Sequence, residues 1–286
     1  MSDVVRVLFL GDIVGRAGRH AVQHCLPFLK KEFAPDIVIA NGENAAGGIG
    51  ITAEIATQLL GYGIDVLTTG NHAWKEKAVY TYLDAEPRIL RPANYPPGAP
   101  GRGWAIYPAG EHQLAVVNLS GRVFMDLVDC PFRAIDAILE EVLRATRLVL
   151  VDFHAEATSE AQAFGWYVDG RCSAVIGTHT HVQTADARIL PQGTAYITDA
   201  GMCGALDSVI GMQVEQVVQK FRSQLPVKFE AARGRPAVQG VFVETNADTG
   251  RACQIQRFQA LPDSDGIILR AEQGLPPESG HSTQTR

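Results

Sequence analysis

Paired cysteines, long apolar runs and an excess of positive charge are all missing from this chain. Its five cysteines (Cys25, Cys130, Cys172, Cys203, Cys253) are scattered, odd in number and form no C-x-x-C pair. That argues against a disulfide framework and against a thiolate metal site, and leaves reduced, buried or half-buried thiols as the reading. The N-terminal apolar stretch Val4–Leu10 contains Arg6 and stops at Gly11-Asp12. It is too short to span a membrane and lacks a signal-peptide cleavage pattern, so a cytoplasmic protein is expected. Lys and Arg number 25 against 31 Asp and Glu, a net charge of −6. A binder of double-stranded nucleic acid would show a basic face instead. A small nucleotide stays admissible, because one local metal site can outweigh the global charge. The glycine-rich "GDIVGRAG" (11–18) also lacks the dinucleotide pattern, which would need glycine where Ile13 and Arg16 stand. It holds a carboxylate, Asp12, where a phosphate cradle would reject one.

What is present is a succession of apolar runs separated by helical patterns. "VVRVLFLGD", "DIVIANGEN" (36–44), "IDVLTTGNH" (64–72), "RLVLVDFHAE" (147–156) and "SAVIGTHTH" (173–181) are rich in Val, Ile and Leu without clean alternation. Strands buried on both faces read this way. Helical periodicity marks residues 16–33, 52–63, 131–146 and 158–170. Thr52 is an expected N-cap, and Ser159 with Gln162 stand at capping-box spacing. Residues 88–121 are rich in Pro and Gly with short strand-like runs. Residues 187–198 and 227–259 read as antiparallel strands turning at Gln192-Gly193 and Asp248-Thr249-Gly250. An α/β fold with a mixed sheet or two packed sheets follows, in one domain over residues 1–273. Residues 274–286 are polar and read as a disordered tail.

The chemistry sits where the apolar runs stop. They deliver Asp12, then Glu43-Asn44, then Asn71-His72, then His154, then His179-Thr180-His181. In open α/β sheets the carboxyl ends of strands form the ligand crevice. Taken singly, Asp12 reads equally as a turn or cap residue, Asn71 as a tight turn and His154 as a satisfied core histidine. Four of the eight histidines collecting at strand ends is not explained that way. The donors are oxygen and nitrogen without sulfur, a set suited to Mn, Fe or Zn rather than Cu(I). Asp12, Glu43, Asn44, Asn71, His154, His179 and His181 exceed what one ion with open positions uses. Two ions sharing a carboxylate fit, the recurring device for displacement at phosphorus.

These motifs, "GD", "GEN", "GNH", a later His and "GTHTH", resemble the calcineurin-like metallophosphoesterases. Asp12-Ile13-Val14 lacks the histidine usual at the first motif, and Glu43 stands in place of the usual bridging Asp. With "NGENAAGG", "DFHAEATSE", "GTHTHVQTAD" and "ITDAGM", the chain is similar to the YmdB-like 2′,3′-cyclic nucleotide phosphodiesterases from residue 4 to about 260. The resemblance implies a four-layer α/β/β/α sandwich with a di-metal site at the sheet edges. It implies Asp12, His181 and Asn44 on one ion, Asn71, His154 and His179 on the other, and Glu43 bridging. The ions would be iron or manganese, with zinc or magnesium as alternatives. His72 would be the general acid and a bridging hydroxide the nucleophile. The alternatives are a phosphomonoesterase or nucleotidase on the same site, or a regulatory protein with weak hydrolysis. A small phosphoester or nucleotide is the expected partner, with no membrane and no duplex nucleic acid; a homo-oligomer is allowed. Trp74, Phe153, Phe164 and Trp166 are candidate base-stacking residues, each also readable as packing. The apolar stretch 121–132 reads as a lid or an oligomer contact. His20, His24 and His112 read as surface or packing residues.

Overall fold

The structure is a computed structural model that describes residues 3–264 and 266–277. The first half runs β1 (Val4–Leu10), β2 (Asp12–Ile13), α1 (Gly15–Phe33), β3 (Ile37–Asn41), α2 (Ala53–Gly61), β4 (Val66–Thr68), α3 (Val79–Ala85), β5 (Ile89–Leu90), β6 (Trp104–Ala109) and β7 (His112–Ser120). Then come α4 (Pro131–Val142), β8 (Val149–His154), α5 (Thr158–Tyr167), β9 (Ala174–Thr178), β10 (Arg188–Ile189), β11 (Ala195–Ile197) and β12 (Met202–Ala205). The chain closes with α6 (Val214–Ser223), β13 (Pro236–Asn246), β14 (Ala252–Asp263) and β15 (Gly266–Gln273).

Two mixed sheets result. The first has the order β15-β14-β13-β1-β3-β4-β5, with β12 and β2 joined at its side; the second is β10-β11-β9-β8-β7-β6. Strands β1, β3, β4 and β5 are parallel, as are β7, β8, β9 and β11, while β13 runs antiparallel to β1. Three apolar layers separate four layers of structure. Val5, Val7 and Phe9 of β1 meet Val116, Leu150 and Ile176 between the sheets. Leu8 and Leu10, pointing the other way, pack on Val22, Leu26 and Leu29 of α1. Ile135, Leu139 and Phe164 of α4 and α5 cover the far face of the second sheet. Both faces of β1 are therefore dry, so its sequence shows no polar alternation. Each fully buried Val or Leu in these layers contributes roughly 1.5–3 kcal/mol relative to exposure. The α/β/β/α sandwich is the expected one.

Thr52 caps α2 as expected, its hydroxyl accepting from Ile55 N at 3.3 Å. Helix α5 departs from expectation: its N-cap is Ala157 with no side-chain cap, so the Ser159–Gln162 box does not form. The helix begins two residues earlier than a Ser159 cap would require, and Ser159 already lies inside it. Strand β13 starts at Pro236, so the preceding part of the expected strand region is irregular; it lies over the first turn of α1. Leu275, at the start of the expected tail, is paired with the second sheet: its N–H donates to Ala187 O at 3.0 Å and its C=O accepts from Ile189 N at 2.8 Å. Residues 278–286 of that tail lie outside the described residues. All five cysteines are free, with Cys253 exposed. Among the described residues no helix is long and apolar enough to cross a membrane.

Candidate metal centre

Every strand end singled out in the sequence arrives at one edge of the sandwich. After β1, Gly11 N–H donates to Gln239 O at 3.0 Å and Asp12 N–H to Gly201 O at 3.1 Å, so β12 and β13 clamp the backbone beneath the Asp12 carboxylate. Gly15 then turns the chain into α1 with φ 57°, a conformation glycine adopts without steric cost. After β3 a turn closed by Ala45 N–H to Gly42 O (3.1 Å) presents Glu43 and Asn44. After β4 a turn closed by Ala73 N–H to Gly70 O (3.2 Å) presents Asn71 and His72. His154 is the last residue of β8, paired in register with Thr178 of β9. His179 (φ 111°) and His181 (φ 64°) hold backbone conformations that L residues seldom adopt. Asp199 fixes the turn between them: its Oδ2 accepts from Thr180 N and Oγ1, each at 2.8 Å.

The side chains form two groups joined by Glu43. In the first, His181 Nε2 lies 3.1 Å from Asn44 Nδ2 and 3.6 Å from Asp12 Oδ1. In the second, His154 Nε2 lies 3.0 Å from Asn71 Oδ1, 3.0 Å from His179 Nδ1 and 3.1 Å from Glu43 Oε1. Glu43 Oε1 also accepts from Asn44 Nδ2 at 3.1 Å, so one carboxylate touches both groups. His72 is tied to the same carboxylate. Its N–H donates to Glu43 Oε2 at 3.0 Å, and its Nδ1 is 2.8 Å from Asn44 Oδ1 and 3.3 Å from Glu43 Oε1. The seven expected ligands and His72 thus lie in one hydrogen-bonded cluster. Asp12, Glu43, Asn44 and His154 are buried, while Asn71, His72 and His179 are partly open to solvent.

The donor set fits a cation on three grounds. Two buried carboxylates face imidazoles, and Asp12 Oδ1 has no hydrogen-bond partner among the described residues. One donor atom each from Glu43, His154 and His179 fall within 4.8 Å of one another. Finally, the histidines take over the countercharge that a cation would supply. Burial alone would lower His154 and His181, yet Glu43 beside the first and Asp12 beside the second outweigh it and raise both to about 9. Burial likewise pushes Glu43 upward, and His154 with His72 outweighs it and holds the carboxyl well below its ordinary range. His179, buried beside a charged His154, is lowered to about 4 and offers a free lone pair.

A buried polar layer behind the cluster escaped the sequence reading. Thr178 Oγ1 donates to Asp152 Oδ1 at 2.7 Å and lies 2.9 Å from His154 Nδ1. Having spent its proton on Asp152, the hydroxyl accepts from His154 Nδ1–H. In a neutral His154, the form that would bind a cation, that places the proton on Nδ1 and leaves the Nε2 lone pair facing Glu43, Asn71 and His179. Asp152 also accepts from Thr68 Oγ1 and, at 3.1 Å, from Asn41 Nδ2. Asn41 Oδ1 in turn accepts from Glu43 N at 3.1 Å. Glu156 adds an exposed carboxylate 3.0 Å from His179 Nε2, and the Ile210 carbonyl lies 2.8 Å from His181 Nδ1. The signal available was Asp152 and Asn41 inside otherwise apolar strands, since buried polar groups need partners.

Each stacking candidate has a packing partner of its own. Phe153 and Phe164 are wholly buried and stacked on each other, 4.3 Å between centroids. Trp74 packs edge-on against Tyr80 and Tyr95, and Trp166 holds Arg188 over its ring. In the stretch 121–132, Phe124 and Leu127 are 89% and 98% exposed, so neither is core packing. The loop is pinned at its base by Glu160, which accepts from Arg122 N and Val123 N. His20 and His24 are exposed, and His112 pairs with Asp3 Oδ2 at 2.6 Å.

Comparison with known proteins agrees with this geometry. Residues 8–258 match the family described as YmdB-like protein. The chain is 47% identical to a 2',3'-cyclic-nucleotide 2'-phosphodiesterase of Bacillus subtilis (strain 168), over 89% of this chain and 96% of the relative. Two crystal structures superpose closely. One is a hypothetical protein from Thermus thermophilus, with TM-score 0.83, 43% identity, and coverage of 94% of this chain and 100% of that one. The other is described as a novel phosphatase from Mycoplasma pneumoniae, with TM-score 0.85, 32% identity and 96% of each chain covered. With a match across nearly the whole fold and through every segment of the cluster, the chain belongs to the YmdB-like protein family.

Proposed function

We propose that this protein is a metal-dependent phosphodiesterase that opens 2′,3′-cyclic nucleotides. The observation that carries the reading is one buried carboxylate, Glu43, touching two separate groups of O and N donors, with His72 held against it. Asp12, Asn44 and His181 would hold one ion, Asn71, His154 and His179 the other, and Glu43 both. Iron or manganese suits this donor set, with zinc or magnesium as alternatives. Bound there, two ions would supply Lewis acidity toward the phosphoryl group and lower the pKa of an attacking water.

The residues do the rest. Water adds to phosphorus, one ring P–O bond breaks, and the departing ribose oxygen needs a proton. His72 is the side chain placed to give it. Its Nδ1 is anchored on Asn44 Oδ1, its ring is about one-quarter exposed, and its Nε2 makes no hydrogen bond among the described residues. Histidine gives and takes protons near neutral pH, and a positioned one contributes ~10²–10⁴-fold. The Bacillus subtilis relative is named for cleavage on the 2′ side, and the same outcome here would release a 3′-phosphate. We read the enzyme as cytoplasmic, and its net charge of −6 suits small or short single-stranded substrates.

A phosphomonoesterase reading has one finding in its favour, the phosphatase description of the Mycoplasma pneumoniae structure. Substrate choice separates the two. The protein loaded with Mn²⁺ or Fe²⁺ is assayed on 2′,3′-cAMP, 3′,5′-cAMP and an aryl phosphomonoester, and should prefer the first. Preference for the monoester would overturn the diesterase reading. His72→Ala should lose ~10²-fold or more in kcat while keeping its metal. Asp12→Ala and His154→Ala should lose metal and activity together. Metal analysis giving one ion per chain would contradict the shared-carboxylate reading.

A further inference from the structure

We infer a second binding site beside the metal cluster, a cationic cavity that takes the phosphodiester backbone of an oligoribonucleotide whose 3′ end is the substrate. The inference rests on the diesterase reading for the identity of that end. The cavity is about 610 Å³ and is lined by Arg16, His20, Lys228, Phe229, Glu230 and Arg233, with Gly47 at its rim. The chain as a whole has more acidic than basic residues, yet three permanent cations here face a single carboxylate. Among the described residues Arg16, Lys228 and Arg233 form no salt bridge. Arg16 Nε instead faces His20 Nε2 at 3.4 Å. Cations collected in this way without a paired carboxylate suit an anion from outside. Phe229, 40% exposed, adds an aromatic face to the same wall.

Both walls of the cavity continue into segments that hold the cluster. On one side Gly47 lies three residues past Asn44, and the N–H of Gly15, which precedes Arg16, donates to Asn44 O at 2.9 Å. On the other side Ala232 N–H donates to Gly211 O at 2.8 Å, next to Ile210, whose carbonyl faces His181 Nδ1. The cavity is therefore built on the same two segments that hold the cluster. A 2′,3′-cyclic phosphate occupies the 3′ side of a ribose, so what extends away from it is the 5′ oxygen. In a mononucleotide that oxygen is an uncharged hydroxyl. At an RNA end it carries a phosphodiester and a further nucleotide, which need a cation and a stacking face.

The test compares 2′,3′-cAMP with a trinucleotide ending in a 2′,3′-cyclic phosphate, using the full chain loaded with Mn²⁺. The trinucleotide should have at least ~10-fold higher kcat/KM at low salt. With two phosphate contacts that advantage should fall about 10-fold between about 50 mM and about 300 mM KCl. Arg16→Ala/Arg233→Ala, and separately Lys228→Ala on the exposed loop, should bring the two substrates together. Equal kcat/KM for both in the wild type, or variants that leave the ratio unchanged, would overturn the inference. If neither substrate turns over, the diesterase reading has failed, and fluorescence anisotropy with a labelled 3′-hydroxyl trinucleotide decides about the cavity. Salt-sensitive binding by wild type that is lost in the double variant supports the site, and no binding overturns it.

Discussion

Thr178 offers the sharpest test of how the cluster is held. Its hydroxyl donates to Asp152 Oδ1 at 2.7 Å and takes the Nδ1 proton of His154 at 2.9 Å, all three groups being fully buried. Thr178→Val keeps the shape of the side chain within β9 and removes that relay together with a 3.4 Å contact from Asn41 Nδ2. A buried N–H without a partner costs about 1–3 kcal/mol, and a hydrogen bond lost from an ionised carboxylate about 1.5–3. The metal-free variant should therefore unfold roughly 2.5–6 kcal/mol more easily in urea. Without the acceptor, His154 is free to place its proton on Nε2, the nitrogen that faces Glu43, Asn71 and His179. Mn²⁺ affinity by titration calorimetry should then drop about 10–100-fold. Thr178→Ser retains the hydroxyl and should stay within a few-fold of wild type. Long-range ¹H–¹⁵N spectra of the metal-free protein at high pH give the tautomer directly. Wild-type affinity in the Val variant would refute the relay. So would a Ser variant as damaged as Val, since the lost methyl would then be the cause.

Gly70 is the next position to perturb, because an added Cβ would fall inside contact distance of the His154 ring and the Glu43 carboxylate. Gly70→Ala should weaken metal binding at least ~10-fold by pushing those donors apart, and unchanged affinity would show that the turn can yield. Proton linkage gives a third expectation. In the metal-free chain His154 and His181 are raised to about 9. Their contribution is therefore complete below the unfolded value of about 6.5 and is lost as pH rises through about 9. Burial raises Asp152 to about 6 and Asp199 to about 7 and lowers His179 to about 4, so these groups titrate at or below the lower edge of that interval. The urea midpoint of stripped protein should fall from about pH 7 to about pH 9, and excess Mn²⁺ should reduce the fall because ions bind deprotonated imidazoles. A flat profile without metal would mean that neither histidine carries the countercharge. Asp199→Ala, which frees the turn bearing His179 and His181, should cost metal affinity although the residue lies outside the ligand set.

The parts of this site that were legible in the sequence share one property: each is local. Asp12, Glu43, Asn71, His154 and His179 stand immediately after apolar runs, and a parallel sheet brings such positions to one edge whatever its strand order. The four layers were reached through a family resemblance. Burial of β1 on both faces required only that something cover each face, and did not say what. Strand β12 was missed because "GMCGA" offers little strand propensity. It is held by pairing with β2 and β13, contacts that join Met202 to Asp12 and Gly204 to Ala237. Asp152 and Thr178 were passed over for a related reason. Their roles follow from the register His154↔Thr178, which no single strand specifies. The same holds for the cationic cavity, assembled from the start of α1, the loop after β3 and the loop before β13. The proposed ligands were thus placed by strand ends, while the groups that orient them were placed by pairings between strands, from 24 residues apart for His154 and Thr178 to 111 for Asn41 and Asp152. A substitution at such a hidden partner should therefore mimic loss of a ligand, and the Thr178 series separates that outcome from damage to the core.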